Sequence, residues 1–124
     1  SFEVRSGEIL AVAGVQGNGQ TELVEALTGL RLIDSGSVIL EKKPLPAGSP
    51  REIATAGVAH IPEDRNRDGM VKGMTVAENY ILNTYHLPPY SKRGVLDRKA
   101  ISAATEKAVK DFDVRTPSIH TDIA

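Results

Sequence analysis

Residues 14–21 read GVQGNGQT, set between the apolar run EILAVA at 8–13 and TELVEALTGL at 21–30. A buried strand, a glycine-rich turn and an amphipathic helix, in that order, form the layout of a phosphate-cradling loop. In that pattern, glycines at each end are followed by Lys and then Ser or Thr. The glycines let successive backbone N–H groups converge on phosphate oxygens at the positive end of the following helix. Gly14, Gly17 and Gly19 fit, and Thr21 supplies the hydroxyl that would hold Mg2+. Gln20 departs from the pattern, standing where lysine is expected. A Gly-rich strand-to-helix turn with no ligand is the competing reading, and the flanking strand and helix patterns count against it.

The departure has a size. Lysine would bring a full charge near the β- and γ-phosphates, whereas a glutamine amide donates hydrogen bonds without charge. Charge-assisted bonds are worth roughly 1.5–3 kcal/mol against about 1 for neutral ones. The expected loss is about 1–2 kcal/mol, on the order of tenfold in affinity. Backbone amides, helix dipole and Mg2+ remain, so binding should weaken without vanishing.

Composition sets the frame around this loop. The 124 residues suffice for one domain with a modest core. Hydrophobic residues make up 40%, charged residues 25%, and the formal net charge is −1, which exerts no overall pull on nucleic acid. Cysteine is absent, which excludes disulfides and thiolate metal sites, and His60, His86 and His120 show no ligand spacing. No apolar run reaches the roughly 18–20 residues of a membrane span, and nothing resembles a signal peptide. The expectation is a cytosolic protein that can sit against a membrane partner. Its ends read as cut, Ser1–Val4 starting as if inside a strand and the chain stopping after His120–Ala124 without a closing helix, so a fragment is expected.

Two regimes follow along the chain. In residues 1–63, Phe2–Val4, Glu8–Ala13, Ser37–Glu41 and Val58–Ile61 read as strands. Thr21–Leu30 reads as a helix with Leu23, Leu27 and Leu30 on one face. Ser49-Pro50-Arg51-Glu52 reads as a capped helix start ending at Gly57. From residue 64 the strands give way. Asp64–Gly73 is a charged loop, Thr75-Val76-Ala77-Glu78 is a capping box opening a helix to about Tyr85, and Pro88-Pro89 is a break. A long helix follows over Asp97–Phe112, with Ile101, Ala104, Ala108 and Phe112 as its core stripe. The fold class expected is α/β: a partial P-loop NTPase core over 1–63, then a helical subdomain over 64–124.

SFEVRSGEILAVAGVQGNGQTELVEALTGL, VAHIPEDRNRDGMVKGMTVAENYIL and the spacing between them resemble the ATP-binding subunits of ABC importers. The resemblance covers essentially the whole chain and is closest to the second of two fused ATPase halves in simple-sugar and nucleoside-type importers. In such halves the loop lysine is often replaced, and IPEDR with RDG shortly after is a fairly specific mark. The resemblance implies that Gly14, Gln16, Gly17, Asn18, Gly19, Gln20, Thr21 and Glu22 cradle the triphosphate of ATP, with Thr21 on Mg2+. It places Glu63 at the glutamine of the Q-loop, which senses Mg2+ and the attacking water and links to the transmembrane partner. A carboxylate there could bind Mg2+, but would repel the γ-phosphate unless the metal intervenes. A solvated turn with a local ion pair is the other reading of Glu63-Asp64-Arg65, and the residues alone leave both open.

The resemblance also implies partners: transmembrane permease subunits meeting the helices of 75–112, and a second ATPase half. It places the parent protein peripherally on the cytoplasmic face of the membrane. The family's signature motif should follow just after Ala124, with the acidic strand, catalytic glutamate and switch histidine later still and the adenine-stacking aromatic upstream of Ser1. No catalytic residue is therefore expected among these residues. Phosphoryl transfer rests on positioning and electrostatics, so the parent is expected to be a transport ATPase and this chain alone inactive. Strands missing from the truncated sheet should leave apolar faces and open edges, which predicts self-association or a rearranged sheet.

The remaining features carry less. Arg65, Arg67 and Lys72 around Asp64 and Asp68 read as a solvated loop, with a permease contact as the minority reading. Tyr80, Tyr85 and Tyr90 lack the basic interleaving of a base-stacking series, so no nucleic acid is expected. Two functions of different class stand: an energy-coupling ATPase half with a weakened site, and a non-catalytic permease-docking module with a vestigial loop. A GTPase lacks support because no guanine-reading Asn/Thr-Lys-x-Asp occurs.

Overall fold

The computed structural model describes residues 1–15 and 17–123. They fall into two compact units, Ser1–Ala59 and His60–Ala124.

In the first unit, α1 spans Gln20–Thr28 and α2 spans Pro50–Thr55. α1 ends at Gly29 with φ +76°, where the Leu30 N–H reaches back to Glu25 O at 2.8 Å. Glycine is needed there twice over. The left-handed turn disfavours a side chain, and a Cβ would sit 2.7 Å from Ile53 Cδ1 and 3.1 Å from Pro50 N. The end of α1 therefore packs closely on the start of α2, with Ile53 only 3% exposed. α2 starts as expected at Ser49 with Pro50 behind it, but the Ser49 side chain makes no capping bond. Between the helices, β1 (Ile39–Leu40) and β2 (Lys43–Pro44) form an antiparallel hairpin. Its two central residues, Glu41 and Lys42, both have positive φ, the arrangement that matches the twist of the flanking strands.

The strands expected at Phe2–Val4, Glu8–Ala13 and Val58–Ile61 are not formed, and Ser37–Glu41 shrinks to β1. A strand exists only through its neighbour's carbonyls and amides. Among the described residues the only sheets are two two-stranded ones, and neither includes these segments. Residues 1–15 instead turn at Arg5–Glu8, where the Glu8 N–H donates to Arg5 O at 3.0 Å and Glu8 Oε2 accepts from the Arg5 N–H at 2.7 Å. Ile9 and Ile61 stand 95% and 94% exposed.

The second unit opens with the loop at 62–73 and then α3, Val76–Tyr80. The capping box read from Thr75 and Glu78 is complete. The Glu78 N–H donates to Thr75 Oγ1 at 3.2 Å, and Glu78 Oε2 accepts from the Thr75 N–H at 2.8 Å. The bond from the Thr75 N–H, then that from the Thr75 hydroxyl and the charge of Arg98, hold the Glu78 carboxyl below the usual carboxylate range. α3 stops at Tyr80, short of Tyr85, and turns replace the remainder. A hairpin of β3 (Ser91–Lys92) and β4 (Val95–Leu96) leads to α4, Arg98–Asp111, capped by Asp97 accepting from the Ala100 N–H at 3.0 Å.

Ala77, Ile81, Ile101 and Ile119 form the core of this unit, with Tyr90 and Val109 packed against them. The stripe expected on α4 is corrected at one end. Phe112 is 79% exposed, whereas Thr105 is 1% exposed. Ile101 and Thr105 are the buried residues of α4, Ala104, Ala108 and Val109 are half-buried beside them, and Phe112 lies beyond the helix as its C-cap. Thr105 tolerates burial because its hydroxyl donates to Ile101 O at 2.8 Å. The last residues return alongside α3: Val76 and Ala77 N–H donate to Thr121 O and Ile119 O, each at 3.0 Å.

Candidate functional site

The loop reaches α1 through two glycines in the left-handed region, Gly17 at φ +88° and Gly19 at φ +94°. Gly19 is the N-cap, and no side chain caps the helix. The first helical bond is from the Leu23 N–H to Gly19 O at 2.9 Å. The amides of Gln20, Thr21 and Glu22 precede it and have no acceptor within the helix. Three adjacent donors at the positive end of a nine-residue helix suit an anion. Asn18 closes the turn before them, its N–H donating to Val15 O at 3.2 Å.

Gln20 adds a feature that spacing did not reveal. A Cβ on Gly14 would overlap Gln20 Nε2 and lie 2.8 Å from its Cδ. The amide thus folds back over the first glycine of the loop, and only a residue without a side chain leaves it room. Gly14 and Gln20, six positions apart, are brought together; Gly17, Asn18, Gly19, Thr21 and Glu22 sit between and beside them in the same turn and first helical turn. Gln16 lies outside the described residues.

Glu63 belongs to the other unit, exposed in the loop between Pro62 and Asp64. Asp64 Oδ1 caps the turn that follows, accepting from the Asn66 and Arg67 N–H groups at 2.9 and 3.1 Å. Arg67 pairs with Asp68 at 3.1 Å, both solvent-facing. Among the described residues no group of three or more His, Asp or Glu could hold a metal ion by itself. The tyrosine rings are engaged with other rings: Tyr80 and Tyr90 meet edge-on at 6.4 Å, and Tyr85 meets His86 at 5.5 Å.

A phosphate-type loop opening a capless helix is common to many nucleotide proteins, but residues 1–121 match the family model described as ABC transporter. The chain belongs to the ABC transporter family. It is 53% identical over 115 residues to the nucleoside import ATP-binding protein NupA of Lactococcus lactis, covering 93% of this chain and 23% of that protein. It is 43% identical over 121 residues to the guanosine import ATP-binding protein NupO of Bacillus subtilis, covering 98% of this chain and 24% of that protein. With the ribose import ATP-binding protein RbsA 1 of Rubrobacter xylanophilus it shares 41% identity over 124 residues, 99% of this chain and 24% of the relative. The ABC transporter chain therefore spans 23–24% of the length of these curated relatives. No solved structure matches it significantly. Membership implies a P-loop NTPase fold. The described residues form the loop-to-helix step of that fold, and the parallel sheet around it is not formed among them.

No helix among the described residues is long and apolar enough to cross a membrane.

Proposed function

We propose that this chain is the ATP-binding part of an ABC transporter ATPase that energises uptake of a sugar or nucleoside. The observation that carries the reading is the set of first-turn amides of Gln20, Thr21 and Glu22, which have no acceptor within α1 and are reached through Gly17 and Gly19. The import functions printed for the relatives NupA, NupO and RbsA 1 supply the substrate class. Residues Gly14 to Glu22 would hold the triphosphate. ATP would supply the phosphoryl group whose transfer drives transport, with Mg2+ screening its charge. Thr21 is the hydroxyl candidate for Mg2+ and Glu63 the carboxylate candidate. None of these 124 residues is assigned a catalytic role, so this chain alone is expected to bind ATP and not to hydrolyse it.

The partners that go with this reading are transmembrane permease subunits and a second ATPase half, at the cytoplasmic face of the membrane. The exposed Ile9, Ile39 and Ile61 support self-association of this chain on its own. Light scattering across a concentration series should show mass rising above the monomer, and a constant monomer mass would remove that part of the proposal.

Gln20 supplies the functional test. Calorimetric titration with Mg2+-ATP should give binding in the native chain, and Gln20→Lys should tighten it about tenfold, since a charge-assisted bond replaces a neutral one. Silence in both proteins, with α1 intact by circular dichroism, would instead leave a permease-docking module with a vestigial loop.

A further inference from the structure

The turn before α1 contains the pair Asn18-Gly19, whose two amides can react with each other. The backbone nitrogen that follows an asparagine can attack the side-chain carbonyl carbon, because the two atoms close a five-membered ring. The step needs a side chain free to turn, a following nitrogen with no acceptor, and no Cβ on the next residue to block the approach. Asn18 meets all three conditions. It is exposed, its side chain makes no hydrogen bond among the described residues, and its neighbour is glycine. The Gly19 N–H also finds no acceptor among the described residues. Glu22 stands three positions beyond Gly19, as Glu78 does beyond Thr75, yet only Glu78 reaches back to the N–H of its helix cap. Gly19 is the N-cap of α1, so the positive end of the helix favours the amide anion that attacks.

Every comparable position elsewhere is restrained. The Arg67 N–H, which follows Asn66, donates to Asp64 Oδ1 at 3.1 Å. The Thr84 N–H, which follows Asn83, donates to Ile81 O at 2.8 Å. Asn79 has its side-chain amide fixed by four bonds. Its Oδ1 accepts from the Val71 N–H at 2.7 Å, and its Nδ2 donates to Val71 O, Met74 O and Thr75 O at 3.1, 3.2 and 3.1 Å. Asp68-Gly69, the acidic counterpart of the pair, is held at both groups. The Gly69 N–H donates to Arg65 O at 3.1 Å, and the Asp68 carboxylate accepts from Arg67 Nε at 3.1 and 3.2 Å. Of the four asparagines, Asn18 alone keeps both reacting groups without a partner among the described residues.

We propose that Asn18 is a site of spontaneous deamidation that charges the loop before α1. The Gly19 nitrogen bonds to Asn18 Cγ, the Cγ–Nδ2 bond breaks, and ammonia leaves with the Gly19 proton. Water then opens the cyclic imide. Hydrolysis at Cγ gives an aspartate; hydrolysis at the backbone carbonyl carbon gives isoaspartate, with the chain rerouted through Cγ. Either product brings a carboxylate into the turn that leads to the first amides of α1, and isoaspartate also lengthens the backbone between Gly17 and Gly19 by one methylene. Both changes oppose an anion there, by repulsion and by misplacing the amides. That consequence rests on the reading of the loop as an ATP site; the deamidation does not.

Peptide mass spectrometry of the native chain, aged in warm, mildly alkaline buffer, tests the proposal. The tryptic peptide containing Asn18 should gain the mass difference between an amide and an acid, with aspartate and isoaspartate forms separable by chromatography. Asn18→Gln, which would need a larger ring, should abolish the gain. In the folded chain Asn18 should react within about tenfold of its rate in urea, whereas Asn66, Asn79 and Asn83 should be slowed far more by folding. Equal protection at all four, or no reaction at Asn18 in the folded chain, would overturn the proposal. Asn18→Asp, which sets one product in place, should bind Mg2+-ATP about tenfold more weakly than the native chain with α1 intact by circular dichroism. Equal affinity would overturn the effect on the loop. A native chain that binds no nucleotide would overturn the ATP reading, and the mass measurement would still decide the deamidation.

Discussion

The two units were built from sequence of similar character and came out differently. In His60–Ala124, Ala77, Ile81, Ile101 and Ile119 close a core, and a capping box, an Asp97 cap and the Asn79 amide fasten the elements around it. In Ser1–Ala59, Ile53 is the buried apolar side chain, while Phe2, Ile9, Val12, Val15, Leu32 and Ile39 face outward. The difference follows from how each part completes its hydrogen bonds. A helix satisfies its own backbone and needs a neighbour only for its apolar face. A buried parallel strand satisfies nothing alone, so an apolar run such as EILAVA stays outside any sheet and exposed where no strand lies beside it.

That contrast can be broken first at the core. Ile101→Ala should destabilise the second unit by about 2–4 kcal/mol, as large-to-small changes in packed cores do. Thermal unfolding followed by circular dichroism should show it; a shift no larger than that of a surface substitution would mean that the second unit has no more core than the first. The next effect lies at the α3 cap. Thr75→Ala should cost about 1 kcal/mol through loss of the Thr75 Oγ1 bond, read as a lower midpoint in urea.

The same cap predicts an acid dependence of definite sign. The Glu78 carboxyl is held below its ordinary value of 4.5, chiefly by the Thr75 backbone N–H. A group depressed in the folded state contributes fully above its unfolded pKa, and the contribution fades as pH falls through the folded value. Stability of the second unit should therefore drop below about pH 4.5, and Glu78→Gln should flatten that drop. An unchanged pH profile in Glu78→Gln would show that the box is not holding the anion. The smallest effect is expected at Phe112, where Phe112→Ser should change stability by less than about 0.5 kcal/mol because the ring is already in solvent. A loss of core size there would restore the stripe read from periodicity and remove Thr105 from the buried residues of α4.

Local rules accounted for much of what was legible. Thr75, Glu78 and Asp97 each act within four residues of themselves, so these helix starts could be read directly from their order. The glycine turn into α1 was legible for the same reason, since Gly17, Gly19 and the first turn of the helix are contiguous. The contact of Gln20 with Gly14 was not, because spacing says which residues share a turn but not where an amide rotates. Asn79 left a weak signal, an amide in the first turns of a helix behind a glycine-containing loop, yet its partners, one backbone N–H and three carbonyls, lie up to eight residues upstream.

The order of residues was enough by itself to place the four helices, the Thr75–Glu78 capping box, the glycine turn that precedes α1 and the kinship with ABC transporters, because those features depend on neighbours in sequence. The Ser49 cap and the extension of α3 to Tyr85 did not follow. Tertiary structure alone decided which apolar runs became strands, that Thr105 and not Phe112 is buried on α4, and which backbone groups Asn79 holds. Those outcomes depend on what stands across space from each residue, and pairing across space costs chain entropy that no local pattern records.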